Sequence, residues 1–106
     1  MSIQEDAGEV LIYAYNEYTN KGEGVNEARI LEETKWDRER LRRAVTYLND
    51  SNLVRMNFFL GGNFFIQRPY PLGIAMVENE KEFQRNFNLE VGVPGLFKFS
   101  WGATER

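Results

Sequence analysis

Apolar residues recur at two different periods along the chain, and the switches between periods divide it into elements. From about residue 6 to 19, Ala7, Leu11, Ala14, Tyr15 and Tyr18 fall at three- and four-residue spacing, which predicts a helix with one buried stripe. Glu9, Asn16 and Glu17 fall mostly outside that stripe, and Asp6 suits the positive end of the helix dipole. Tyr13, Tyr15 and Tyr18 read as the rim of a core, each with one polar end, rather than as a stacking surface. The run from Thr19 to Gly24 is a turn built on Gly and Asn. A second helix is predicted from Val25 to Lys35, with Asn26 as its cap and Val25 placed to pack on Ile30. Ile30, Leu31 and Thr34 would face inward. After the apolar anchor Trp36, Asp37 can cap a third helix in which Leu41, Ala44, Val45 and Leu48 share the buried stripe. Asn49, Asp50 and Asn52 end it, with Asn52 where a left-handed residue is wanted.

The period then drops to two. Met56, Phe58 and Leu60 alternate with Arg55, Asn57 and Phe59, and Phe64, Phe65 and Ile66 return after Gly61-Gly62-Asn63, which predicts a hairpin over 54–68. Arg68-Pro69-Tyr70-Pro71 is an extended connector, and Pro71 suits the first turn of a fourth helix. Leu72, Ala75, Met76 and Phe83 are expected on its inner face, with Asn79 as a break before a further helix or turn. Phe87, Leu89, Val91 and Val93 alternate, Pro94-Gly95 is a turn signal, and Leu96, Phe97, Phe99 and Trp101 follow, which predicts a second hairpin or a strand.

The third predicted helix carries an unusual outer face: Arg38, Glu39, Arg42, Arg43 and Thr46, with Arg40 nearer the flank. The run Glu27 to Met56 resembles the helix-turn-helix core of the winged-helix superfamily of prokaryotic and archaeal transcription regulators. Leu41, Val45 and Leu48 hold that pattern's core positions, and Leu53-Val54 begins the wing. Lys35 and Asn52 stand where that family often has glycine, and Tyr70-Pro71-Leu72-Gly73 resembles the Thr-Pro-x-Gly start of its post-wing helix. The resemblance spans roughly residues 6–78. It implies an α+β winged helix: a three-helix core, a β-hairpin wing, a fourth helix and a C-terminal β-hairpin or strand. Residues 1–78 would form the winged-helix domain. Residues 79–106 would form an extension that packs on the wing or builds a dimer interface, all within one compact domain.

By the same resemblance, the third helix enters the major groove of double-stranded DNA. Arg38, Arg42 and Arg43 are the candidates for base or phosphate contact, because a guanidinium can donate two parallel bonds to guanine or clamp a phosphate. Arg40 would meet phosphate, Thr46 would make a backbone or methyl contact, and Arg55 is the charge at the base of the wing. The competing reading of these arginines is a solvated helix face, with Glu39 and Arg43 in the favourable order for a surface ion pair.

Composition sharpens this picture in three ways. The net charge of −3 runs against nucleic-acid binding in general, so any affinity for phosphate must come from localised charge. The four arginines from Arg38 to Arg43 supply it, while the acidic residues gather elsewhere. The absence of both Cys and His removes disulfides, thiolate or imidazole metal ligation and the usual neutral-pH acid–base catalyst. No metal, no cofactor and no enzymatic activity are therefore expected. Gly22 to Gly24 lacks the context of a dinucleotide fingerprint, and the pairs Glu32-Glu33 and Glu78/Glu80 read as solvated faces. The start of the chain does not resemble a secretory signal. The longest uncharged run, Met56 to Gln67, falls short of the ~20 apolar residues of a membrane span, so a cytoplasmic protein is expected.

All eight phenylalanines lie at or beyond Phe58, so the aromatic mass belongs to the hairpin and the tail. Phe58, Phe65, Phe87, Leu96, Phe97, Phe99 and Trp101 are the candidates for a dimer or partner interface, and a homodimer is the expected assembly. Two functions stay open at this point. One is a homodimeric transcription regulator that reads duplex DNA through the third helix. The other is a winged-helix module that binds protein and no DNA.

Overall fold

The computed structural model describes residues 2–89. Within them the chain is α+β, with five helices and a three-stranded antiparallel sheet. The order is α1 (Ile3–Lys21), β1 (Val25–Asn26), α2 (Glu27–Thr34), α3 (Arg38–Asp50), β2 (Val54–Phe58), β3 (Phe64–Pro69), α4 (Pro71–Glu78) and α5 (Glu80–Phe87).

Local chemistry sets the helix ends. α1 begins earlier than its apolar stripe does. Ser2 and Glu5 form a reciprocal capping box: the Glu5 N–H donates to Ser2 Oγ at 3.2 Å, and the Ser2 N–H donates to Glu5 Oε1 at 2.8 Å. Asn26 caps α2 by accepting from the Arg29 N–H at 2.8 Å, and Asp37 caps α3 by accepting from the Arg40 N–H at 2.8 Å. α2 stops at Lys35, which is left-handed at φ 61°, and Asn52 adopts φ 59° just after α3. At both positions glycine would be the easier residue.

α1 is the central element. It packs along α3, α4, α5 and β3, and contributes Ala7, Val10, Leu11 and Ala14 to the core. α3 adds Leu41, Ala44, Val45 and Leu48, and the sheet adds Val25, Val54, Phe64 and Ile66. Strand order is β1-β3-β2, with Met56 opposite Ile66, Phe58 opposite Phe64 and Val25 opposite Ile66. The register shifts between Arg55 and Met56. β1 is two residues long, too short to leave a period in the sequence, so Val25 and Asn26 were legible only as the approach to α2.

Several expectations are corrected. Glu9 and Glu17 are buried on α1 instead of lying outside its stripe. On α4, Gly73 and Val77 face inward, while Leu72 is 54% exposed and Ala75 is exposed. The reason is close backbone approach: a Cβ at Gly73 would fall on the Leu53 carbonyl oxygen, so the glycine side of the helix turns in and Leu72 turns out. That same carbonyl accepts the Tyr70 N–H at 2.9 Å, which ties the start of α4 to the residue just before β2.

Phe87 ends a helix and does not begin a strand. Asn79 caps α5 by accepting from the Glu82 N–H, and Phe83 and Phe87, one turn apart, are both buried in the common core. The first part of the expected extension, 80–87, therefore packs mainly on α1 and α4. The remaining strand expectation, from Glu90 onward, lies outside the described residues.

Candidate nucleic-acid interface

The capped, core-anchored α3 turns Arg38, Glu39, Arg43 and Thr46 to solvent. Its four arginines have four different environments. Arg38 is 58% exposed, with Nε 3.4 Å from the buried carboxylate of Glu27. Arg43 is 54% exposed, and its Nη1 lies 3.9 Å from Glu39, which is itself 83% exposed. A surface pair of that kind contributes roughly 0.3–0.5 kcal/mol, little enough for a phosphate to displace it.

Arg42 is half-buried and reaches the hairpin. Its Nη2 donates to the carbonyl oxygen of Gly62, in the β2–β3 turn, and its Nε is buried with no hydrogen-bond partner. The turn can present that carbonyl because Gly61 and Gly62 take φ 91° and 93°, values that side-chain-bearing residues rarely adopt. Arg42 thus joins the outer face of α3 to the hairpin tip.

Arg40, expected to meet phosphate, turns inward. Nε and Nη2 form a fork on Asp6 Oδ2 and Oδ1 at 2.8 and 2.9 Å, and the guanidinium carbon sits 4.3 Å from the centre of the Trp36 ring. The hydrogen bonds to Asp6 raise the Arg40 pKa further above its ordinary value. This side chain is a strut between α3 and α1, with its charge already met. Asp6, expected only to favour the α1 dipole, is the buried half of that strut.

Arg55 is exposed on β2, with no ion-pair partner among the described residues. The hairpin tip carries no cation. Phe58 and Phe59 are 53% and 54% exposed, Leu60 is fully exposed, and Asn57 and Gln67 bond across the strands. Among the expected interface residues, Phe58 is open to solvent and packs edge-on against Phe64, and Phe65 is half-buried. Phe87 is enclosed between Phe83, with ring centres 4.7 Å apart, and Tyr47 at 6.5 Å, so it is core and not interface. Leu96, Phe97, Phe99 and Trp101 lie outside the described residues. The sequence marks Phe58, Phe59, Phe64 and Phe65 as more than one face of a two-stranded ribbon can bury, but it passes over Leu60, because strand alternation hides its place in the turn although the following Gly-Gly pair marks it.

No protein-family model, curated protein or solved structure matches this chain. The chemistry of the surface therefore carries the functional reading. Among the described residues there is no group of carboxylates placed to hold a metal ion, and no helix is long and apolar enough to cross a membrane. The surface offers guanidinium donors on a rigid helix beside an uncharged, apolar hairpin tip.

Proposed function

We propose that this chain is a winged-helix protein that binds duplex DNA through α3 in the major groove, acting as a homodimeric transcription regulator in the cytoplasm. The observation that carries the reading is the outer face of α3. Arg38 and Arg43 stand more than half exposed on a helix whose other side is locked into the core, and Arg42 fastens the hairpin turn beside them. Such a face can donate to phosphate and to guanine without any rearrangement of the backbone. Arg38, Arg42, Arg43 and Thr46 would face the groove, with Arg55 as an added phosphate contact and Arg40 holding the helix in place. The reading gives the chain no catalytic role and no cofactor.

The test is a duplex-binding titration across salt with the intact chain and with Arg38→Ala/Arg43→Ala. Every phosphate that is no longer neutralised makes the slope of log affinity against log salt shallower by about 0.9. The double variant is expected to bind at least about tenfold more weakly at low salt, with a shallower slope and unchanged circular dichroism. Equal binding by the two proteins would remove α3 from the interface.

The apolar tip favours a second reading, a winged-helix module whose hairpin binds protein. Three adjacent exposed apolar side chains, with no cation of the hairpin's own at the tip, suit a protein surface better than a phosphate backbone.

A further inference from the structure

We propose that the hairpin is a self-assembly surface: the free edge of β2 and the apolar tip take up the segment Leu96–Trp101 of a second copy of this chain as an added strand. This rests on the homodimer part of the reading above and is independent of DNA contact.

Two features of the hairpin call for a partner. β3 lies between β1 and β2, so the outer edge of β2 has no strand beside it among the described residues. An exposed strand edge is a template for another strand, and soluble proteins commonly protect it with charge, proline or cover. Here Arg55, at the base, is the sole charge on the strand, and the end toward the turn exposes Phe58, Phe59 and Leu60. Main-chain pairing would satisfy the edge, while the three side chains would gain cover.

The occupant is argued from the chain beyond residue 89. Leu96, Phe97, Phe99 and Trp101 alternate imperfectly with Lys98 and Ser100. Six extended residues measure about 20 Å, enough to cover the five-residue β2 from end to end.

The source is argued from where the described chain stops. Phe87 and Leu89 lie against Gly8 on α1, and the Phe87 ring meets Tyr47 on α3. The hairpin turn sits on Arg42 instead. At ~100° per residue, Tyr47 and Arg42 point about 140° apart around α3. The chain's own tail would have to pass from that side of α3 to the tip within the seven steps from Leu89 to Leu96, a reach of at most about 25 Å. A second copy placed edge to edge needs no such crossing, and two-fold symmetry lets each copy donate one strand and receive one.

The chain has no cysteine, so introduced thiols report without background. Asn57→Cys, on exposed β2, and Lys98→Cys are made in separately tagged full-length chains, mixed, and treated with a short bis-maleimide. The expected product is a mixed-tag dimer carrying both variants. A linkage formed only within one chain, in the double variant, would overturn the proposal, as would no linkage at all. Light scattering on full-length Phe59→Asp/Leu60→Asp provides a second arm. Both positions are exposed, so the fold is expected to survive, and the dimer should dissociate at least about tenfold more readily. An unchanged dimer would overturn the proposal. Arg38→Ala/Arg43→Ala should keep its dimer mass, so failure of DNA binding and failure of assembly are separately visible.

Discussion

Arg40 and Asp6 show how a side chain of the expected type can be spent on the fold. A capping Asp37 and a left-handed Asn52 were legible because their partners lie within a turn. The Asp6–Arg40 fork joins residues 34 positions apart, which no local pattern reports. Removing one side of a buried, forked ion pair leaves the other uncompensated. Arg40→Ala is therefore expected to destabilise the fold by on the order of 2–3 kcal/mol, given that Arg40 keeps about a third of its side chain in water. Urea denaturation measures this directly, and Arg40→Lys, which cannot form the fork, should recover only part of the stability. Tyr15 gives a pH signature. Burial, and next its hydrogen bond to Glu78 at 2.8 Å, push its pKa up to about 12 from an ordinary 10.0. Its folded pKa is raised, so its contribution is fully present below pH 10 and is lost as pH rises toward 12. Tyr15→Phe should flatten that stretch of the stability–pH curve and leave the neutral range of the curve without added slope.

At the scale of elements, α3 was readable from end to end because cap, stripe and stop agree. α5 was not. Phe83 and Phe87 carried the helical signal, but the alternation of Phe87, Leu89 and Val91 competed with it, and the Asn79 cap resolves the conflict by starting a helix. The inner face of α4 was hidden because glycine carries no hydrophobic signal, yet Gly73 is the residue that lets the helix seat on Leu53. Gly73→Ala should cost about 1–3 kcal/mol by urea denaturation, since the clash is with backbone that cannot swing aside. A substitution that left stability unchanged would mean that the helix start has room to shift.

For the molecule as a whole, the α+β character and the helix–turn–helix–hairpin order follow from periodicity and caps, and the core runs on through α5. The candidate site was legible as a set of arginines but not as a division of labour. Sequence spacing gives direction around a helix; it does not give the partner waiting there, whether Asp6, Glu27 or the Gly62 carbonyl. The result is a smaller cationic face than four arginines implied, on a chain of net charge −3. Binding to duplex DNA would therefore depend on few contacts. The most direct measurement is the affinity of the intact chain for mixed-sequence duplex DNA as salt is raised from low ionic strength. Our account predicts measurable binding that weakens log-linearly, with a slope of roughly −2 to −4 for two to four phosphate contacts. No binding at the lowest salt, or an affinity indifferent to salt, would contradict it.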